Sequence, residues 1–229
     1  MGNPTVGSER PVREVTLSTF YMDKYPVTQA GYEAVMGRNP SHFKTNPAPG
    51  EVQEKRPVES VNWYQAAGYA NELSKTRGLT PAYQINGTTV TVMAGSTGYR
   101  LATEAQWEYA ARGGNGSPGN YVYAGSNSPG DVAWYDANSE GKTHEAGKKA
   151  ANGLGLYDMS GNVFEWVWDW YGDYPDVAET DPMGASSGTY RILRGGNWSQ
   201  SVGYATSAAR TGCPPNLSDG LIGFRLVRP

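Results

Sequence analysis

Asp158 and Glu165 stand seven residues apart in GLYDMSGNVFEW, on either side of a turn-forming Ser160-Gly161-Asn162. A hard cation such as calcium takes several oxygens at about 2.3–2.6 Å. Two carboxylates flanking a turn whose carbonyls point inward can supply them. The same spacing also suits two carboxylates that accept backbone N–H groups, with Trp166, Trp168 and Trp170 as core. Glu104 and Glu108 form a second acidic pair, in LATEAQWEYAARGG. They are candidates for acid–base chemistry, for a helix surface or for a buried ion pair, and Glu104 in a first helical turn sits favourably against the helix dipole. Cys213 is the one cysteine, so no intrachain disulfide forms. As a nucleophile it would need a neighbouring base. The sequence indicates none, and a loop thiol is the expectation. With His42 and His144 it cannot complete a Cys/His zinc site.

The elements that must position these groups are short. Residues 12–22 alternate and predict a strand. Thr28 caps a helix that runs to Met36 and stops at Gly37. Residues 38–58, rich in Asn and Pro, read as a loop. Asn62 and Gln65 form a capping box for a helix over 63–76 that ends at Gly78. Asn86-Gly87 between 83–85 and 89–92 signals a hairpin. Residues 99–101 form a short strand, Thr103 and Gln106 box the next helix, and Gly113-Gly114 ends it. Residues 114–153 show little periodicity, and a stretch that long is functional or held by specific ties. Strands return at 190–193 and 223–227. The fold class is α+β with few helices and a large share of loops.

Composition narrows the function classes. The 229 residues read as a single domain over 1–229. Glycine (30) and proline (15) are abundant and aromatics reach 12 %, so turns and aromatic anchors replace long aliphatic stripes. A net charge of −3 with no basic cluster argues against nucleic acid, and 38 % hydrophobic residues argue against disorder. No apolar run is long enough for a transmembrane helix. The opening Met-Gly-Asn-Pro has no apolar signal core.

Three ordered segments carry a resemblance: the one around Asp158 and Glu165, the one around Glu104 and Glu108, and RILRGGNW at 191–198 closing with IGFRLV at 222–227. Together they resemble the formylglycine-generating-enzyme (sulfatase-modifying factor) type of C-type lectin fold, from about Val12 to the C-terminus. The resemblance implies one structural calcium held by the side chains of Asp158 and Glu165 and the carbonyls of Gly161 and Val163. It also implies that the family's oxidase chemistry is absent. The two cysteines that hold copper and substrate thiol in those enzymes fall here on Gln200 and Ala205, which are not thiolates. The related iron enzymes need three histidines, and this chain has two. Neither copper nor iron is therefore expected.

The stretch between the RGGNW and IGFRLV flanks, 199–221, is SQSVGYATSAARTGCPPNLSDGL. With Arg210, Pro215 and Gly223-Phe224-Arg225 at matching spacing, it resembles the variable region of diversity-generating-retroelement target proteins. Adenine-directed mutagenesis in those proteins yields a residue set without Lys, Glu, Gln, Met or Trp. Only Gln200 falls outside that set, and it reads as a fixed position. The expected ligand-binding positions are Ser199, Ser201, Gly203, Tyr204, Ala209, Thr211, Gly212, Cys213, Pro214, Leu217, Asp219, Gly220 and Leu221. Tyr204 is the best single anchor, joining apolar area to a polar tip. The expectation is a non-catalytic binding protein that presents a diversified patch to a protein or other macromolecule, at the cell surface or secreted, with the cytoplasm left open. The alternatives are an enzyme of the same family with altered or lost oxidase chemistry, an ordinary loop in a family member, and sugar binding by the lectin fold.

Overall fold

The computed structural model describes residues 1–115 and 120–229. Four α-helices are present among them: α1 (Gln29–Met36), α2 (Trp63–Thr76), α3 (Glu104–Ala111) and the short α4 (Pro129–Val132). The local signals for the first three hold. Thr28 accepts from Gly31 N, and Gly37 closes α1 at φ 69°. The Asn62/Gln65 and Thr103/Gln106 capping boxes are both formed.

The strands are β1 (Val15–Thr16), β2 (Tyr21–Met22), β3 (Tyr83–Asn86), β4 (Thr89–Val92), β5 (Arg100–Leu101), β6 (Ala133–Trp134), β7 (Ser160–Gly161), β8 (Phe164–Trp170), β9 (Glu179–Thr180), β10 (Arg191–Arg194), β11 (Arg210–Cys213), β12 (Ile222–Phe224) and β13 (Leu226–Arg228). The central sheet has the order β11-β10-β8-β12, and a three-stranded sheet is ordered β2-β13-β5. β3–β4, β6–β7 and β1–β9 are separate pairs.

Several sequence expectations are corrected here. The alternating run 12–22 is not one strand: β1 pairs with β9 and β2 with β13. The hairpin closes one residue later than expected. Asn86 pairs with Thr89, so the loop residues are Gly87 and Thr88. The run 223–227 is split between β12 and β13 at Arg225, whose side chain turns into the interior. Part of 114–153 is regular, as α4 and β6, while residues 116–119 lie outside the described residues. Inside 199–221 lies β11, paired antiparallel with β10.

β8 divides the interior. Phe164 and Trp166, with half-buried Trp168 packed beside them, join Trp63, Tyr32, Tyr69 and Phe224 on the α2 side. Val167 joins Trp107, Met159 and Ile192 on the α3 side. Both faces of the central sheet are covered, so the polar positions of the alternating β8 run, Glu165 and Asp169, are buried as well as its aromatic ones. The tryptophans also bond across the core: Trp166 Nε1 donates to Val61 O at 2.9 Å and Trp63 Nε1 to Val167 O at 2.9 Å.

Candidate binding site

The segment 199–221 runs from the end of β10, through β11, to the start of β12. The rest of the fold grips it by its main chain: β11 is laddered to β10, Ser207 N donates to Val122 O at 2.9 Å, and the other ties reach its carbonyl oxygens. Asp136 N donates to Gln200 O at 3.2 Å, Trp63 N to Pro215 O at 3.1 Å and Ser60 N to Asp219 O at 2.9 Å. Phe164 N donates to Leu221 O at 2.8 Å. Ser160 Oγ holds Ala205 O at 2.7 Å and Trp198 Nε1 holds Gly220 O at 2.9 Å. The Arg194 guanidinium holds Ser207 O at 3.0 Å, Ala208 O at 2.6 Å and Ala209 O. None of these bonds uses a side chain of the gripped residue.

Arg194 is fully buried, and its charge is met by Glu108 Oε2 at 2.7 Å. Glu108 also accepts from Arg112 Nε at 2.9 Å, and the two guanidiniums overcome burial to hold its carboxyl below the usual range. Glu104, one helical turn earlier, takes Arg210 of β11 through both oxygens, at 2.7 and 2.8 Å. The two glutamates of α3 are thus buried ion-pair partners of arginines that enter from β10 and β11. Their arginines lie 106 and 86 residues further along the chain, so no local pattern announces them.

Most of the expected display positions reach solvent. Ser199, Ser201, Gly203, Tyr204, Gly212, Pro214, Leu217 and Asp219 are exposed, and Thr211, Gly220 and Leu221 are partly so. Two expectations are corrected. Ala209 is 8 % exposed and Cys213 6 % exposed. Cys213 ends β11 and packs into the cluster containing Trp63, Trp166 and Phe224, so it is a core residue and not a loop thiol. Burial, and then the Asp219 carboxylate, push its thiol up to about 11.

The glycines of the segment and those of its flanks differ in the room around them. A Cβ at Gly203 would meet nothing within 4 Å, and one at Gly220 would make only ordinary contacts from 3.5 Å outward. Neither has a positive φ. Gly212 is tighter, with Tyr171 and Tyr190 side chains 3.1 Å from an added Cβ. The flanking glycines have no such room. Gly196 has φ 72°, and an added Cβ would lie 2.9 Å from the backbone of Tyr204 and Ala205. At Gly223 it would lie 2.4 Å from Val58 O.

The donor set implied for calcium does not fit the ion. Glu165 Oε1 and Oε2 both accept from Arg225 Nε, at 2.9 and 2.7 Å, and Oε2 also accepts from Trp107 Nε1 at 2.7 Å. Its charge is already neutralised by a guanidinium. Asp158 accepts from Gly147 N at 2.7 Å and Asn162 Nδ2 at 3.1 Å, and burial raises its carboxyl to about 6. The Gly161 carbonyl accepts from Val163 N at 3.0 Å. Both carboxylates and the Gly161 carbonyl thus already serve as acceptors within the fold, with Val163 on the adjoining turn. Among the described residues no group of three His, Cys, Asp or Glu side chains is placed to hold a metal.

The family described as sulfatase-modifying factor enzyme 1-like (FGE-sulfatase) matches residues 1–229. The chain belongs to this family. Its fold is the C-type lectin fold of the formylglycine-generating type. Its relatives include the chaperone protein LppX of Paenibacillus barcinonensis, 41 % identical over 225 residues, covering 84 % of this chain and 74 % of that one. The formylglycine-generating enzyme of Streptomyces coelicolor is 30 % identical over 262 residues, covering 98 % of this chain and 82 % of that one. Among solved structures, Treponema denticola variable protein 1 superposes with a TM-score of 0.93 at 39 % identity, over 100 % of this chain and 91 % of that one. At the places where the resemblance puts the oxidase cysteines, this family member has half-buried Gln200 and buried Ala205.

Proposed function

We propose that the chain is a non-catalytic ligand-binding protein. The segment 199–221 displays replaceable side chains on a rigid C-type lectin scaffold, and a retroelement diversifies them. One observation carries the reading. The frame holds this segment by its main chain, chiefly at carbonyl oxygens, several of them on buried Arg194, and by the inward pair of Arg210 with Glu104, so most exposed side chains can change without touching what fixes the backbone. The similarity to a protein named as variable supports it. Catalysis of the oxidase kind has no support in the residues: Gln200 and Ala205 carry no sulfur, and Cys213 is held in the core as a thiol. The partner on this reading is a macromolecule, most simply a protein, met at the cell surface or outside the cell. Among the described residues no helix is long and apolar enough to cross a membrane.

The test is a library randomised together at Ser199, Ser201, Gly203, Tyr204, Leu217 and Asp219. Most members should fold, and different members should be enriched on different immobilised proteins. A library in which most members unfold would end the proposal. A reverse transcriptase and a near-copy of the 3′ coding region beside the gene would support the retroelement. Trypsin treatment of intact cells would test the location.

A further inference from the structure

His42 and Phe43 lie outside the segment, in the Asn- and Pro-rich stretch 38–58, yet they border it. The Phe43 ring meets Trp198 edge-on, with centroids 5.2 Å apart, and the His42 ring stands edge-on to Phe43 at 4.8 Å. A Cβ at Gly220 would lie 3.5 Å from His42 Cβ and 3.8 Å from the Phe43 ring. His42 is exposed, and Phe43 and Trp198 are half-exposed.

This surface dipeptide is held with unusual firmness. His42 N and Phe43 N donate to the two oxygens of Glu59 at 2.9 and 2.8 Å. Phe43 O accepts from the amides of Gln29 and Gln53, at 2.9 and 2.6 Å. Glu59 is fully buried. A buried carboxylate is tolerated only when hydrogen-bonded, and this one is satisfied by an exposed loop. It also accepts from Ser60 Oγ at 2.8 Å, and Ser60, at φ 61°, is the residue whose N–H holds Asp219 O. One buried group therefore sets the fixed rings and the end of the variable segment in register. Aromatic groups locked before binding lose little entropy when a partner arrives.

Building on the reading of 199–221 as a binding face, we propose that His42, Phe43 and Trp198 form its constant half. The partner they take is a polypeptide that lays an aromatic or large aliphatic side chain beside Gly220. The charges support this chemistry. Within 199–221 the charged residues are Asp219 and Arg210, and Arg210 is turned inward onto Glu104. The segment thus offers no outward cation to a polyanion, whereas ring edges and faces suit an apolar side chain.

Random dodecamer peptides displayed on phage, selected on the immobilised whole protein, supply the probe. Selected peptides should carry Trp, Tyr, Phe or Leu, and Phe43→Ala should weaken their binding tenfold or more. His42→Ala should weaken it threefold or more. His42 is exposed and its side chain holds nothing in the core, so this variant serves even if Phe43→Ala does not fold. Peptides weakened by Tyr204→Ala but indifferent to both His42→Ala and Phe43→Ala overturn the inference and leave the binding reading intact. Peptides indifferent to all three variants overturn both. Selected peptides without an aromatic or large aliphatic residue overturn the assigned partner chemistry.

Discussion

Arg194 and Glu108 meet at 2.7 Å with neither side chain reached by solvent, and the same guanidinium holds the carbonyls of Ser207, Ala208 and Ala209. Replacing Arg194 by Met removes the partner of a buried carboxylate and frees three carbonyls. The expected loss is about 3–5 kcal/mol, read from chemical denaturation. A loss under about 1 kcal/mol, at the level of an exposed ion pair, would show that the arginine does not hold the segment.

The glycines give a paired prediction. Gly203→Ser should change stability by no more than about 0.5 kcal/mol, as an open surface site does. Gly196→Ala should cost about 2–4 kcal/mol, from the left-handed backbone and the clash with Tyr204 and Ala205. Equal costs would contradict the division between display and frame.

Cys213 should resist a thiol reagent such as DTNB in the native protein at pH 8 and react fully in guanidinium. Only the thiolate attacks, and burial keeps this group protonated. Rapid labelling of native protein would place the thiol at the surface.

Burial, and then the neighbouring Glu104 carboxylate, push Asp169 up to about 7. The folded state therefore favours its protonated form. That stabilisation is complete below the unfolded carboxylate range near pH 4 and is lost as pH rises through about 7. Asp169→Asn keeps an acceptor for Glu104 N, which now donates at 2.7 Å. The variant should match the parent near pH 4 and melt higher above pH 7. A melting difference independent of pH would remove the titration of Asp169 as its cause.

Melting in millimolar calcium and in excess EDTA should coincide, because Glu165 is already paired with Arg225. A ligand that binds only the native state raises the midpoint with concentration. A calcium-dependent rise would show that Arg225 yields Glu165 to the ion.

The helices were readable because their signals are local: Thr28 and Gly37, Asn62 with Gln65, and Thr103 with Gln106 each lie within one short segment. The sheet was less so. The FEWVWDW run of β8 alternates as a half-exposed strand does, yet its polar residues Glu165 and Asp169 are buried, because Arg225 and Glu104 N reach them from distant stretches of chain. The solvent exposure expected of the segment is found at positions such as Tyr204 and Leu217. It failed at Ala209 and Cys213, because β11 looks irregular until its pairing with β10 turns Cys213 inward. The Glu104–Arg210 and Glu108–Arg194 pairs, and the Glu59 cradle under His42 and Phe43, join distant stretches of chain. Nothing in the neighbouring residues reveals such long-range pairing.

The frame's many bonds to the segment's oxygens reach further than tolerance of new side chains. Proline lacks an amide hydrogen, so it cannot stand where a chain is held through its N–H. Here Pro215 serves as an anchor point, receiving the bond from Trp63 N. Proline remains barred where an N–H is used, as at Tyr204, Ser207, Ala209, Leu217, Leu221 and along β11. Elsewhere, where the local torsion allows, a ring-closed imino acid leaves the oxygen-held moorings in place, so stiffness itself becomes something the surface can vary.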